Sequence, residues 1–467
     1  MSTALVWFRQ DLRLADNPAL HHACQHYQFI IPVYILDDTQ QPSLGGAQRW
    51  WLHHSLEVLQ QTLHKIGGNL ILRRGSTQAI LETLIKQQQV DAVFWNRCYE
   101  PAAIERDKTI KQILKTQQIT VQSFNSALLH EPWDITNKQG DYFKVFTPYW
   151  KACCQQLQVR ELLPQPKKLN LPKDITSEPL SQWSLLPTHP DWSGGLVETW
   201  QPGEKAAHKR LKSFLTEGLH DYHVARDRPD QLGTSRLSPH LHFGEISPWQ
   251  IWHAVQTEAA TSPSIPHKAV ERYLAELGWR EFSYHLLFHF NTLDHENFRA
   301  EFDAFPWEND PQKLTAWQRG QTGYPIIDAG MRELWHTGYM HNRVRMIVAS
   351  FLTKDLLIDW RHGAEWFWDT LVDADMANNS ASWQWTAGCG ADAAPYFRIF
   401  NPVLQGEKFD PQGEYVKQWV PELADLAAKY IHKPWEISHG KGYPDRLIDH
   451  HVARERALKF YKHLKDT

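Results

Sequence analysis

Cysteine is scarce in this sequence. Five cysteines in 467 residues (Cys24, Cys98, Cys153, Cys154 and Cys389) are odd in number and show no CxxC spacing, which argues against a secreted disulfide framework and suggests no zinc site. No apolar run reaches the roughly 18 residues that a membrane span requires. The opening MSTALVWFRQDLRL lacks the basic-then-apolar pattern of a secretory leader. A soluble, cytoplasmic protein is expected, with no membrane partner and no metal. An excess of either charge is also missing: the formal net charge is -4, so a nucleic-acid partner must be met by a local basic patch. No GxGxxG or GxxxxGK[ST] closes a strand-like run, which argues against an ordinary dinucleotide or nucleoside-triphosphate loop. Internal repeats and low-complexity tracts are absent as well.

What is abundant is tryptophan, with 22 residues. Indoles fill cores and also stack on flat partners, and composition does not choose between the two. The length implies two domains. Apolar runs over 4–8, 29–36, 69–72, 92–95 and 120–124 read as strands, and helical spacing over 48–66, 77–88 and 101–117 falls between them. This alternation predicts a doubly wound α/β domain with five parallel strands. Residues 161–203 are rich in proline (Pro164, Pro166, Pro172, Pro179, Pro187, Pro190) and lack sustained periodicity, as a long connection does. Beyond 204 the strand signals vanish, and helical patterns over 204–217, 266–290, 322–336 and 341–357 predict an all-helical second domain. The expected division is an α/β domain over 1–130, a linker over 131–203 and a helical domain over 204–467.

Four segments of the helical half place polar groups in apolar, aromatic surroundings, where buried sites are expected. In GTSRLSPHLHFGEIS (233–247), Thr234, Ser235 and Ser238 precede a helix that Pro239 can open. This arrangement suits phosphate oxygens, and reads equally as a serine cap with nothing bound. In ERYLAELGWREFSYHLL (271–287), Glu276, Trp279 and Arg280 share one helix face, either as a desolvated acid beside an indole or as a covered surface ion pair. HNRVRMIVASFLTKDLLIDW (341–360) carries Asn342, Arg343 and Arg345 in an apolar stripe that demands carboxylates or phosphates as partners. DADMANNSASWQW (373–385) supplies Asp373 and Asp375, then Asn378 and Asn379. Arg345 with Asp373 is the pairing these residues predict. Trp383 and Trp385, two positions apart, point to roughly opposite sides of a helix.

Together with VWFRQDLRLADNPAL (6–20), KVFTPYW (144–150), TGYPIIDAGMREL (322–334) and GADAAPYFRIFNPVLQGEKFD (390–410), these segments resemble the DNA photolyase and cryptochrome family, and within it the microbial cyclobutane-dimer photolyases. The resemblance implies blue-light repair of cyclobutane pyrimidine dimers by FAD, active as FADH⁻. Tyr222, Thr234, Ser235, Arg236, Leu237, Ser238, Tyr273, Arg280, Arg345, Asp373, Ala374, Asp375 and Asn379 are implied as its contacts, with Asn379 at the flavin N5 position. An electron relay through Trp383, Trp360 and Trp307 is implied too. Trp279 and Trp385 would enclose the flipped lesion beside Met346, with Glu276 and Asn342 bonding to it, while Arg226, Arg343 and Arg398 would meet DNA phosphates. UV-damaged DNA is the implied partner of a monomer. One departure bears on the antenna pigment. After Tyr99-Glu100 the chain has Pro101-Ala102-Ala103, where folate-binding relatives carry an Asn-Glu pair; methenyltetrahydrofolate is still favoured over a deazaflavin. A cryptochrome-type photoreceptor is the alternative, which predicts a substituted lesion pocket, whereas Glu276, Trp279 and Trp385 are present. A (6-4) photolyase needs a histidine acid that the matching motifs do not supply, and a light-independent nucleotide-binding or assembly protein would carry no flavin.

Overall fold

The computed structural model describes residues 2–39, 42–393, 397–437 and 442–466. Five strands, β1 (Thr3–Phe8), β2 (Phe29–Leu36), β3 (Ile71–Arg74), β4 (Ala92–Asn96) and β5 (Thr120–Phe124), form one parallel sheet in the order β3-β2-β1-β4-β5. All six residues of β1 are buried. Its even positions Ala4, Val6 and Phe8 pack into one core, while Leu5 and Trp7 pack into another on the opposite face. That is the strand period of two with helices on both faces. Those helices are α1 (Pro18–His26), α2 (Gly46–Lys65), α3 (Thr77–Gln88) and α4 (Pro101–Thr116). Strand β3 lies two residues later than the expected 69–72. Leu70 is fully buried but its neighbour Asn69 is not, and sheet pairing to β2 begins only at Ile71.

The proline-rich stretch is coil with short helical turns. The KVFTPYW motif enters the helix α5 (Phe146–Gln156), whose Phe146, Tyr149 and Cys153 share a core with Phe282, Tyr284 and Leu286. The second half is helical as expected: α6 (Glu204–Glu217), α7 (Ser238–His242), α8 (Pro248–Thr261), α9 (His267–His289), α10 (Pro311–Gln318), α11 (Pro325–Thr337), α12 (Asn342–Ser350), α13 (Trp360–Thr370), α14 (Met376–Ala387), α15 (Pro402–Phe409) and α16 (His450–Asp466). The helix expected over 322–336 starts at Pro325 instead, because Asp328 turns back to accept from Thr322 N and Oγ1, both at 2.7 Å. The helix expected over 341–357 ends at Ser350 and runs into a π-helical turn, Phe351–Asp355.

The first motif docks the halves together. Buried Arg13 donates to the carbonyl of Gly244 at 2.9 Å, and the Glu204 carboxylate accepts from Leu14 N at 2.8 Å and Ala15 N at 2.9 Å. Gln48 of α2 reaches the Ala374 carbonyl at 3.0 Å, and Trp51 Nε1 reaches Glu245 at 3.1 Å. The sheet domain thus braces the two segments, 238–247 and 373–375, that carry most of the site. Among the described residues no helix is long and apolar enough to cross a membrane.

Candidate flavin and lesion site

The 233–238 segment, α9, α12 and the start of α14 meet through an unbroken series of contacts. Tyr222 and Tyr273 pack edge to face at 5.1 Å. Ser238 Oγ donates to Asp373 Oδ2 at 2.6 Å. Arg345 Nη2 donates to both oxygens of Asp373, at 3.0 and 2.8 Å, and its Nε to the Met340 carbonyl at 2.7 Å. The predicted Arg345–Asp373 pair is therefore present. A part-buried guanidinium needs such a carboxylate, and the desolvation of Arg345 is outweighed by Asp373, so its pKa rises.

Asp375 caps α14 by accepting from Asn378 N at 2.8 Å. Burial opposes its charge, but His242, with Nδ1 3.6 Å away, the charge of Arg280 and a hydrogen bond from Tyr284 hold its pKa below the usual carboxylate range. Arg280 stacks over Tyr284 at 4.9 Å and donates to the Ala127 carbonyl at 2.6 Å. Ala374 and Leu237 are buried; Ser238 is exposed between buried Leu237 and Pro239. Arg236 stands apart, stacked over Tyr339 at 4.8 Å with Glu333 at 3.5 Å and a left-handed φ of 51°.

Asp375, Asn379 and Trp383 recur every four residues and share one face of α14. Asn379 Nδ2 donates to the Ala364 carbonyl at 3.0 Å, and Trp383 Nε1 is buried without a hydrogen-bond partner. These groups fit a flavin dinucleotide: hydroxyls and an arginine for the diphosphate, carboxylates and amides for the ring edge. Trp383 packs on Gly363, where a Cβ would collide with its ring, one turn beyond Trp360. Trp360 is buried with Nε1 on Asn297 at 2.9 Å. Half-buried Trp307 is tied into the same core, since Glu308 N donates to Leu357 O at 2.7 Å. All three indoles therefore belong to one packed cluster.

The residues assigned to the lesion form a second group. Trp279 is 36% exposed and stacked on Phe146, centroids 3.7 Å apart. Glu276 is ion-paired with Arg226 rather than with Arg280. Asn342 is exposed at the first position of α12, where His341 Nδ1 accepts from Arg343 N at 3.1 Å. Arg343 pairs with Asp227 at 2.8 Å, reaches the Met346 sulfur at 3.6 Å and stacks over Phe409 at 4.5 Å. Trp385, on the far side of α14 from Trp383, is half-buried with Nε1 on the Asp392 carbonyl at 3.2 Å and exposed Arg398 over its ring at 5.6 Å. Part of the 390–410 motif, residues 394–396, lies outside the described residues.

Sequence reasoning missed Asp227, His242, Tyr284, Glu333 and Phe146. Each is partner to a residue it did name, and all but Asp227 lie inside the quoted segments without having been assigned a role. It also missed His53, His54 and Glu57 on α2, whose ligand atoms lie within 4.8 Å of one another.

Comparison with known proteins places this geometry. The FAD binding domain of DNA photolyase matches residues 273–463, and the DNA photolyase domain matches residues 4–168. The deoxyribodipyrimidine photo-lyase of Agrobacterium fabrum is 51% identical over 474 residues, covering 99% of this chain and 98% of that protein. Cryptochrome-2 of Arabidopsis thaliana is 37% identical, over 97% of this chain and 78% of its own length. The crystal structure of a bacterial class III photolyase from Agrobacterium tumefaciens superposes with a TM-score of 0.97 at 50% identity, covering 100% of this chain and 98% of that one. With both domains matched and more than half of the residues shared with one relative along its whole length, the chain belongs to the DNA photolyase family.

Proposed function

We propose that the protein is a deoxyribodipyrimidine photo-lyase that uses blue light to split cyclobutane pyrimidine dimers in DNA. The observation that carries the reading is Asp373, gripped at once by Arg345 and Ser238, on a chain 51% identical to a photo-lyase. FAD held there, as FADH⁻, supplies the photoexcited electron that opens the dimer. Tyr222, Thr234, Ser235, Ser238, Tyr273 and Arg280 bind it, with Arg236 and Leu237 shaping the loop, while Asp373, Ala374, Asp375 and Asn379 line the ring edge. Trp307, Trp360 and Trp383 carry electrons inward through the cluster they share. Trp279 and Trp385 enclose a dimer that has left the helix, since dimers stack and pair poorly and so flip at lower cost. Glu276 and Asn342 bond to it, and Met346 adds an apolar contact. Arg226, Arg343 and Arg398 answer to phosphates, the first two by exchanging Glu276 and Asp227 for DNA.

For the antenna, methenyltetrahydrofolate is favoured over a deazaflavin. The protein acts as a cytoplasmic monomer, with an α/β domain over 1–130, a linker over 131–203 and a helical domain over 204–467. The test is an oligonucleotide bearing one thymine dimer, incubated with flavin-loaded protein in blue light and in the dark. Restoration in light alone supports the reading; a dimer left intact in light refutes it.

A further inference from the structure

The π-helical turn Phe351–Asp355 buries a cation that no carboxylate meets. Lys354 is 2% exposed, and among the described residues no acidic side chain lies within ion-pair distance of its ammonium. Asp355, next in the chain, is paired with His450 of α16 at 2.5 Å instead. Burial pulls the pKa of Lys354 down to about 7, although Cys389 and Asp355 oppose the fall. A buried charge without a counter-charge costs stability, so its presence calls for a use that packing does not supply.

The ammonium is committed to one piece of chain. Lys354 Nζ donates to the Arg398 carbonyl and lies over the Phe397 ring at 4.4 Å. Two residues further on, Phe400 N donates to Ser350 Oγ at 3.2 Å, at the head of the same turn. The coil segment 397–400 is thus latched at both ends to residues 350–354. That segment carries one wall of the proposed lesion site. The Arg398 guanidinium lies over the Trp385 ring at 5.6 Å, and Lys354, Trp385, Thr386, Gly388, Arg398 and Phe400 line one small cavity. Trp385 is tied separately, its Nε1 donating to the Asp392 carbonyl at 3.2 Å. Single π-helical turns recur at functional sites, and this one brings Lys354 to the cavity wall.

We propose that Lys354 is a positioning residue for lesion recognition: by holding the Arg398 carbonyl it fixes the segment that sets Arg398 against Trp385, and so the wall on which the dimer stacks. It acts through Arg398 and Trp385. This rests on the reading that Trp385 encloses a flipped dimer, and the test keeps the two apart. Affinity for a duplex carrying one thymine dimer, repair yield per absorbed photon at saturating DNA, melting temperature and flavin content are measured for the flavin-loaded wild type, Lys354→Met and Lys354→Gln. Methionine fills the space without a donor, whereas glutamine keeps an N–H for the carbonyl. Lys354→Met is expected to lower dimer affinity about tenfold, the worth of one hydrogen bond from a charged group, and to leave the saturated yield unchanged. Because an unpaired buried charge is removed, its melting temperature is expected to hold or rise. Lys354→Gln recovers most of the affinity. Wild-type affinity in Lys354→Met overturns the assignment. A loss that tracks a fall in melting temperature or flavin content, or that Lys354→Gln does not restore, makes Lys354 merely structural and overturns it too. Failure of the wild type itself to prefer dimer-containing over undamaged duplex overturns the underlying reading instead.

Discussion

Asp373 is the joint of the flavin site, and replacing it with asparagine isolates what it does. The variant keeps the shape and the possibility of accepting from Ser238 Oγ, but removes the charge that both oxygens present to Arg345 Nη2 at 3.0 and 2.8 Å. Breaking one side of a buried ion pair costs about 3–5 kcal/mol, because the other charge stays behind. Arg345 retains the Met340 carbonyl at 2.7 Å, and its side chain is a quarter exposed, which places the loss near the lower end, about 3 kcal/mol. For a chain of this size that corresponds to a melting shift on the order of 3 °C. A two-domain protein need not unfold in one step, so the informative readout is local: the temperature at which flavin fluorescence rises on release. Asp373→Asn is expected to release flavin about 3 °C earlier and to purify with less of it. A variant with wild-type flavin content and release temperature would refute the claim that this pair holds the site together.

Three further outcomes follow from named contacts. Glu276→Gln should lower the repair yield per absorbed photon about tenfold, the worth of a charged hydrogen bond, while leaving dimer binding in a gel shift largely intact; equal yields would remove its role. Trp307→Phe should slow photoreduction of the oxidised flavin without changing repair by protein reduced chemically beforehand, and loss of repair in the reduced variant would contradict the separation. Burial, aided by His289, lowers the pKa of His285 to about 4, while its Nε2 accepts from Phe143 N at 3.0 Å. Because the unfolded chain takes up this proton first, the contribution is fully present above pH 6.5 and is lost as pH falls towards 4, on the order of 3 kcal/mol in all. Glu281, raised to about 7 chiefly by burial, holds its proton in the native state and works the other way over the same interval. The readout is therefore a comparison: His285→Gln should lose less melting temperature than the wild type between pH 6.5 and 4.5, and parallel curves would refute the assignment.

The sheet was legible because β1, β2 and β4 are apolar runs with helical spacing between them, a pattern that few folds share. Arg345–Asp373 was legible for a sharper reason, since an arginine inside an apolar stripe has to find a carboxylate. The partners of Glu276 and Arg343 were not. Arg226 lies 50 residues before Glu276, and Asp227 lies 116 before Arg343, so nothing in either segment announces the contact. The stacking of Phe146 on Trp279 likewise joins the linker to α9 across the fold. The π-helical turn was hidden for a related reason: the apolar spacing over 341–357 suits an ordinary helix. What accompanies the change is tertiary, with Lys354 bound to the Arg398 carbonyl and Asp355 to His450. Helix propensity cannot report partners that arrive from 44 and 95 residues away.

The central claim is that light absorbed by a flavin in the Asp373 site drives dimer cleavage. Its most direct test is an action spectrum: the rate at which the reduced protein restores a single thymine dimer, measured wavelength by wavelength and set against the absorption of its bound chromophores. The account predicts that the two curves coincide in the near-ultraviolet and blue and that the rate is zero in the dark. Cleavage in darkness, or a rate that does not follow the bound flavin and its antenna, would contradict it.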